Sequence, residues 1–329
     1  MSSGMNGGMH GQRHFLRRHL IPVTLVAMSV CVYVATAIGT GQHAQLTLAG
    51  VMGLLQRMIA LGLVALGQNF VILAGSIDLS VANLISVSAV LASYFMQGDT
   101  GAIGYAVIGV LLVAAAVGMV NGLLIARLGV SPLIATLGVG LVLQGVLTVA
   151  FTSLRGKVPQ SYQALAYGSV GGVPIAVLIL LAVAMAAAFA LTRTVAGARL
   201  FAVGGNAGSA RLAGIRTSRV LVGAHAMAGL MSGLAGLYLA SWLGAGTPWV
   251  GRDGGYDLDS IAAVVIGGTL LAGGRGSISG TMAGVFVFAT IDAVFNMLQI
   301  DSFLSQVLRG AIVVIAVGVY TFRSKGHVA

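Results

Sequence analysis

Apolar runs of near-bilayer length repeat along the whole chain, separated only by short segments rich in glycine and arginine. A hydrocarbon core about 30 Å thick takes roughly 20 apolar residues in a helix to cross. The runs read as Leu20–Ile38, Val51–Leu73, Val81–Met96, Ile103–Ile125, Leu133–Phe151, Val173–Leu191, Val220–Leu243, Ser260–Leu271, Ser277–Leu298 and Phe303–Phe322. In lipid every backbone polar group has to be satisfied within the chain, and a helix does this segment by segment. The expectation is an all-α, polytopic membrane protein with about ten transmembrane helices. The third and eighth runs are short for a full crossing. They read equally as tilted, broken or partly re-entrant helices, a form allowed where protein or a water-filled cavity surrounds them. Charged residues make up only 7% of the chain, against about 25% in soluble domains, so no stretch is polar enough to fold in water by itself.

The basic residues decide the orientation. With the N-terminus in the cytoplasm, the inner segments hold Arg13, Arg17, Arg18, Arg127, Arg193, Arg199, Arg211, Arg216, Arg219, Arg275, Arg323 and Lys325. The outer ones hold Arg155, Lys157 and Arg252, while Arg57 and Arg309 fall within spans. That bias is the one the positive-inside rule demands, and it puts both termini in the cytoplasm. The expected division is a disordered N-terminus over 1–19, a transmembrane domain over 20–322 with a cytoplasmic loop over 192–219, and a cytoplasmic tail over 323–329. The first run is longer than the 7–15 residues of a secretory signal core and more spans follow it, so it reads as an uncleaved helix. A net charge of +10 invites a nucleic-acid reading. The cations sit singly or in small groups beside apolar runs, which fits lipid headgroups and excludes nucleic acid as a partner.

Several chemistries are missing. No Gly-x-x-x-x-Gly-Lys-Ser/Thr phosphate loop is present; the only lysines are Lys157 and Lys325. Metal ligands do not cluster, and the lone cysteine, Cys31, sits in an apolar run without a disulfide partner. Among the histidines only His225 falls within a span, where it reads either as a packing and hydrogen-bonding group or as a proton relay. The 49 glycines include Gly118-x-x-x-Gly122, Gly229-x-x-x-Gly233 and Gly280-x-x-x-Gly284 inside spans. This spacing brings helix backbones together, within one chain or between two copies.

Three elements carry polar chemistry. The first is Ala74-Gly75-Ser76-Ile77-Asp78-Leu79-Ser80, where Asp78 and Ser80 resemble the cap of the third helix. Gln68 and Asn69 lie just upstream at lipid depth, and Asn121 is a further polar group inside a span; such groups are costly unless paired or lining a cavity. The second is the basic segment Thr192 to Arg219. Within it Asn206 is placed to cap a short helix through Ser209, Ala210, Arg211 and Leu212, with Gly205 before it and Gly214 ending it. This segment reads either as a solvated loop or as a helix that docks into a partner's groove. The third runs from Asp257-Leu258-Asp259-Ser260 to Gly280, its two carboxylates placed to cap the eighth helix or to accept hydrogen bonds from a polar solute. Beyond it, Asp292 and Asn296 are four apart and share one helix face.

At these three elements the sequence resembles the permease subunits of ribose-type sugar ABC importers. The family pattern Gly-Ile-Asp-Leu-Ser-Val-Gly stands here as Ser76 to Ala82, with Ser76 and Ala82 in place of its glycines. The Gly-Gly-Asn…Ala-Arg-Leu-x-Gly-Ile pattern stands as Gly204 to Ile215, and the Asp-Ser-Ile-Ala…Gly-Gly-Arg-Gly-Ser-Ile-x-Gly-Thr pattern as Asp259 to Thr281. The likeness covers roughly residues 50 to 325. It implies a permease subunit of the bacterial inner membrane, without catalysis or a bound cofactor of its own. ATP and Mg would be held by partner ATPase subunits, an external solute-binding protein would deliver a sugar or small polyol, and a second permease copy or sister permease would complete the pathway. Gly205–Gly214 would then be the coupling helix, with Arg211 its polar contact, and the Asp78 and Asp259 elements would shape the pathway. A secondary transporter driven by an ion gradient is the main rival, ahead of a channel or a scaffold.

Overall fold

The computed structural model describes residues 6–151, 156–301, 303–312 and 314, with side chains described from Leu20 onward except Ile21. The expected tail over 323–329, the end of the last apolar run and Arg155 lie outside the described residues. The elements are α1 (Asn6–Gly39), α2 (Leu48–Leu73), α3 (Val81–Met96), α4 (Ile103–Leu128), α5 (Pro132–Ala150), α6 (Gln160–Tyr167), α7 (Ile175–Arg193), α8 (Val195–Gly205), α9 (Ala207–Leu212), α10 (Thr217–Leu243), α11 (Val250–Asp253), α12 (Tyr256–Ile266) and α13 (Ile278–Met297). Residues 303–312 are helical as well. A two-residue hairpin, β1 (Ser169–Val170) with β2 (Val173–Pro174), is the only sheet among the described residues. The chain is an all-α polytopic membrane protein.

Among the described residues, seven helices are long and apolar enough to cross a membrane. The third and eighth expected runs are short here too, with 16 residues in α3 and 11 in α12, and the tenth run lies only partly within the described residues. The run expected over Ser260–Leu271 stops at Ile266 because Gly267 turns against the backbone of Gly280 and Gly268 follows at φ +92°. Its start moves upstream to Tyr256, behind Gly255 at φ +64°. Helix α1 begins at Asn6. A helix already nucleated at Leu20 extends at the gain of one hydrogen bond per residue, and Met9, Gln12, Arg13 and Leu16 are good helix formers.

Caps fix the remaining boundaries. Thr47 accepts from Gly50 N–H, Thr194 from Gly197 N–H and Ser277 from Gly280 N–H, each satisfying an amide that the first turn leaves open. Gly129 ends α4 in the left-handed region at φ +70°, and Pro132 opens α5. Lipid and core exposure sort the spans. The apolar windows of α2, α10 and α13 are 50%, 56% and 56% buried, whereas those of α1, α4, α5 and α7 are 17–28% buried. The first group is the inner layer, and the second presents its larger face to lipid.

Small residues set the spacing of that inner layer. A Cβ on Gly118 would lie 2.1 Å from the His225 carbonyl, and one on Gly229 would lie 2.2 Å from the Ala114 carbonyl. The two Gly-x-x-x-Gly motifs of α4 and α10 therefore interlock with each other, running antiparallel. Gly280 and Gly284 meet the Gly267 and Ala263 carbonyls in the same way. All three motifs are used within the chain, where close backbone approach gains the dispersion contacts that lipid does not supply.

Candidate functional site

Two polar centres lie inside the helical body. The first surrounds Asp78, in the loop between α2 and α3, and it is dry: Gln68, Asn69, Asp78, Ser80, Asn121 and His225 are all at most 1% exposed. Gly75 at φ +78° turns the chain back into the body, which points the next residues inward. The carboxylate then accepts from Ser80 N–H at 2.9 Å and Ser80 Oγ at 2.6 Å. The amide of Asn121, from α4, reaches both carboxylate oxygens at 3.3 Å and Ser80 Oγ at 2.8 Å. From α10, His225 Nδ1 lies 3.2 Å from Asp78 Oδ2, and its Nε2 lies 2.9 Å from Ser76 Oγ. With its amide turned to satisfy both partners, Gln68 bonds the Asp78 backbone N–H and carbonyl at 3.2 Å each. One residue thus ties α2, through its backbone, and α4 and α10, through its carboxylate, to the start of α3.

Ser80 therefore does not cap α3 with its side chain, as expected. Its hydroxyl is drawn to the carboxylate two residues back, the stronger acceptor. Asn69 accepts from Thr269 Oγ1 at 3.0 Å, which links α2 to the segment after α12. The Asn69 amide nitrogen and the Asn121 amide oxygen have no partner in this conformation. Buried polar groups left this way cost about 1–3 kcal/mol each, and such costs cluster where a second conformation or a bound solute satisfies them.

The second centre is open. A cavity of about 890 Å³ is lined by Arg57 of α2, Asp259 of α12, Asp292 and Asn296 of α13, and Arg309 of the helical residues 303–312. Arg309 forks between two carboxylates, Nη1 to Asp259 Oδ2 at 3.0 Å and Nη2 to Asp292 Oδ1 at 2.6 Å. Asp292 and Asn296 share this cavity as their spacing predicts. Asp257 and Asp259 do not cap α12, whose N-terminus is formed by Gly255 without a side-chain bond. Both stand in the first turn, where the helix dipole favours a negative charge. Asp259 turns to Arg309, while Asp257 is not among the cavity-lining residues. Arg309 and His225 were not among the expected site residues. The signal was present in each case: an ionisable group at lipid depth requires a partner.

A junction of bare backbone connects the three sequence elements. Gly274 N–H donates to the Leu73 carbonyl at 3.0 Å. A Cβ on Gly204 would lie 1.7 Å from that same carbonyl oxygen, and one on Gly273 would lie 2.8 Å from Gly75 N. The end of α2, the end of α8 and the segment after α12 meet here with no side chain between them. From this junction the chain continues directly into α9. Asn206 Oδ1 accepts from Ser209 N–H at 2.8 Å and Gly214 closes the helix at φ +79°. Arg211 and Leu212 are exposed, Leu212 almost completely at 92%, while Ala210 is buried.

Known proteins are similar to this chain in sequence. A family described as the permease component of branched-chain amino acid transport systems matches residues 50–317. The ribose import permease RbsC of Bacillus subtilis (strain 168) is 36% identical over 81% of this chain and 83% of its own length. RbsC of Escherichia coli (strain K12) is 31% identical over 93% of this chain and 96% of its own. The L-arabinose ABC transporter permease AraH of Azospirillum brasilense is 33% identical over 83% and 80% respectively. No solved structure matches the chain. With the matched region spanning both polar centres, the glycine junction and α9, the chain belongs to the family of ribose-type ABC importer permeases.

Proposed function

We infer that the chain forms the translocation pathway of a binding-protein-dependent ABC importer for a pentose, hexose or similar small polyol, in the bacterial inner membrane. Its relatives are import permeases for ribose, L-arabinose and D-allose, and the open cavity offers carboxylate, amide and guanidinium groups of the kind that bind sugar hydroxyls. The observation that carries the reading is the glycine junction. It joins an exposed, capped helix, α9, to the dry Asp78 centre. In this scheme α9 docks into an ATPase subunit that holds ATP and Mg and does the hydrolysis. Its movement reaches the Asp78 centre through the junction, and a second permease copy or a sister permease completes the pathway. Substrate enters from a solute-binding protein on the side of the Arg309 cavity. Alternating access is then a population shift driven by differential binding of the two nucleotide states.

The test is co-purification of the tagged chain followed by reconstitution. An ATPase subunit retained by the chain, with sugar uptake dependent on ATP and on a binding protein, supports the reading. Uptake by the chain alone, driven by an ion gradient, refutes it. A gradient-driven carrier is the second reading, and the buried Asp78–His225 pair is the observation that favours it, since intramembrane ionisable pairs mark ion pathways.

A further inference from the structure

A third cavity, of about 730 Å³, lies between α7, α8 and α10 on the face that carries α9. Its walls combine two chemistries. Phe70, Leu200 and Met227 line it with apolar surface, and Arg199, Arg216 and Arg219 line it with guanidinium groups. The three arginines are exposed, and among the described residues none forms a salt bridge to a carboxylate. The sequence supplies no acid nearby: between Asp99 and Asp253 there is no Asp or Glu at all. A cavity with an apolar lining, three uncompensated cations and walls from three membrane-crossing helices is complementary to a molecule with an anionic head and a hydrocarbon tail.

The geometry points to a binding site for an anionic phospholipid, the headgroup phosphate between Arg199, Arg216 and Arg219 and the upper acyl chain along Phe70 and Met227. Basic pockets between transmembrane helices at the headgroup level hold anionic lipid in this way. A guanidinium offers paired donors in the plane of two phosphate oxygens, which suits it to this contact. A free soluble anion would leave the apolar lining uncovered. Ala213, Gly214 and Ile215 also line the cavity, so an occupant would touch the segment that links α9 to α10. The site does not depend on what docks at α9.

The experiment uses the purified full-length chain in detergent and titrates fluorescent phosphatidylglycerol against phosphatidylcholine, with native mass spectrometry to count retained lipid. One retained phosphatidylglycerol, preferred over phosphatidylcholine and displaced weakly or not at all by inorganic phosphate, is expected. Replacing Arg199, Arg216 and Arg219 by Gln should weaken phosphatidylglycerol about fivefold per arginine, roughly a hundredfold for all three, at about one surface contact's energy each. The Arg→Lys triple variant should keep most of the preference. Equal retention of the two lipids by the wild-type chain overturns the assignment, and this comparison needs no variant to fold. Displacement by millimolar inorganic phosphate reassigns the cavity to a soluble anion. Protection of the three arginines from phenylglyoxal by an ATPase subunit, with none by phosphatidylglycerol, reassigns it to a protein partner.

Discussion

The carboxylate of Asp78 accepts from Ser80 N–H, Ser80 Oγ and the Asn121 amide, and it faces His225 Nδ1, all without access to solvent. Asp78→Ala leaves those groups facing a void. Each orphaned buried donor costs about 1–3 kcal/mol, so the purified variant should lose about 3 kcal/mol or more and melt well below wild type. Asp78→Asn keeps the shape and one acceptor oxygen, and should fall between the two. Thermal unfolding in detergent, followed through Trp242 and Trp249, measures this, and an unchanged midpoint for Asp78→Ala would show that the network holds nothing together. Arg309 is the counterpart in the open cavity. Arg309→Gln frees Asp259 and Asp292 from their shared partner and leaves two like charges to repel. Weaker transport with the chain still folded and inserted is expected, and normal uptake would take the fork out of the pathway. These residues also mark what sequence alone reaches. Asp78 stood out because its glycine and serine neighbours form a local turn pattern. His225 stood out as the histidine within a span, but its pairing with Asp78, 147 positions away, did not, because a pairing made only by tertiary folding leaves no trace in local spacing.

Among the elements, α9 is the shortest of those singled out and the easiest to unmake. A six-residue helix is below the length that sustains itself, so its Asn206 cap carries much of its order. Asn206→Ala should cost about 1 kcal/mol of helix stability, read as faster amide exchange in residues 207–212. Arg211→Glu leaves the fold alone, because the side chain is exposed, and should abolish retention of the ATPase subunit in a pull-down. Normal association would overturn the docking role. Gly204→Ala is the test of the junction: no methyl group fits 1.7 Å from a carbonyl oxygen. That single methyl should reduce membrane-inserted, folded protein more than Gly205→Ala, which meets nothing within 4 Å. The boundaries of α9 were legible because the Asn206 cap and the left-handed Gly214 are local signals. The short or broken form of the eighth run was legible too, but not its stop at Ile266, which is imposed by Gly280 from the neighbouring helix.

For the whole molecule, the charge asymmetry predicts the topology. Replacing the lone Cys31 with Ser and then placing single cysteines at Asn206 and at Thr100 gives two opposite reporters. Membrane-impermeant maleimide added to intact cells should label the Thr100 position and not the Asn206 position. Reversed labelling overturns the orientation and, with it, the docking surface. The fold class was readable because lipid admits so few kinds of structure. The arrangement into an inner layer of α2, α10 and α13 was not, since apolar runs that face lipid and apolar runs that face one another have the same composition. What distinguishes them is where the small residues fall, as at Gly118 and Gly229.

The contact of Gly274 with the Leu73 carbonyl also has a timetable. The ribosome adds about 200 residues after Leu73 before Gly274 exists, about 10–40 s at ordinary bacterial rates of synthesis. The α10 histidine that Asp78 pairs with lies 147 positions downstream, so that network closes first, while Asn69 and the Leu73 carbonyl still wait for Thr269 and Gly274. A chain stalled or truncated before α10 therefore leaves a half-assembled carboxylate at lipid depth, the kind of flaw that membrane proteases can recognise. The joint proposed to transmit motion is in this sense also among the later contacts to close.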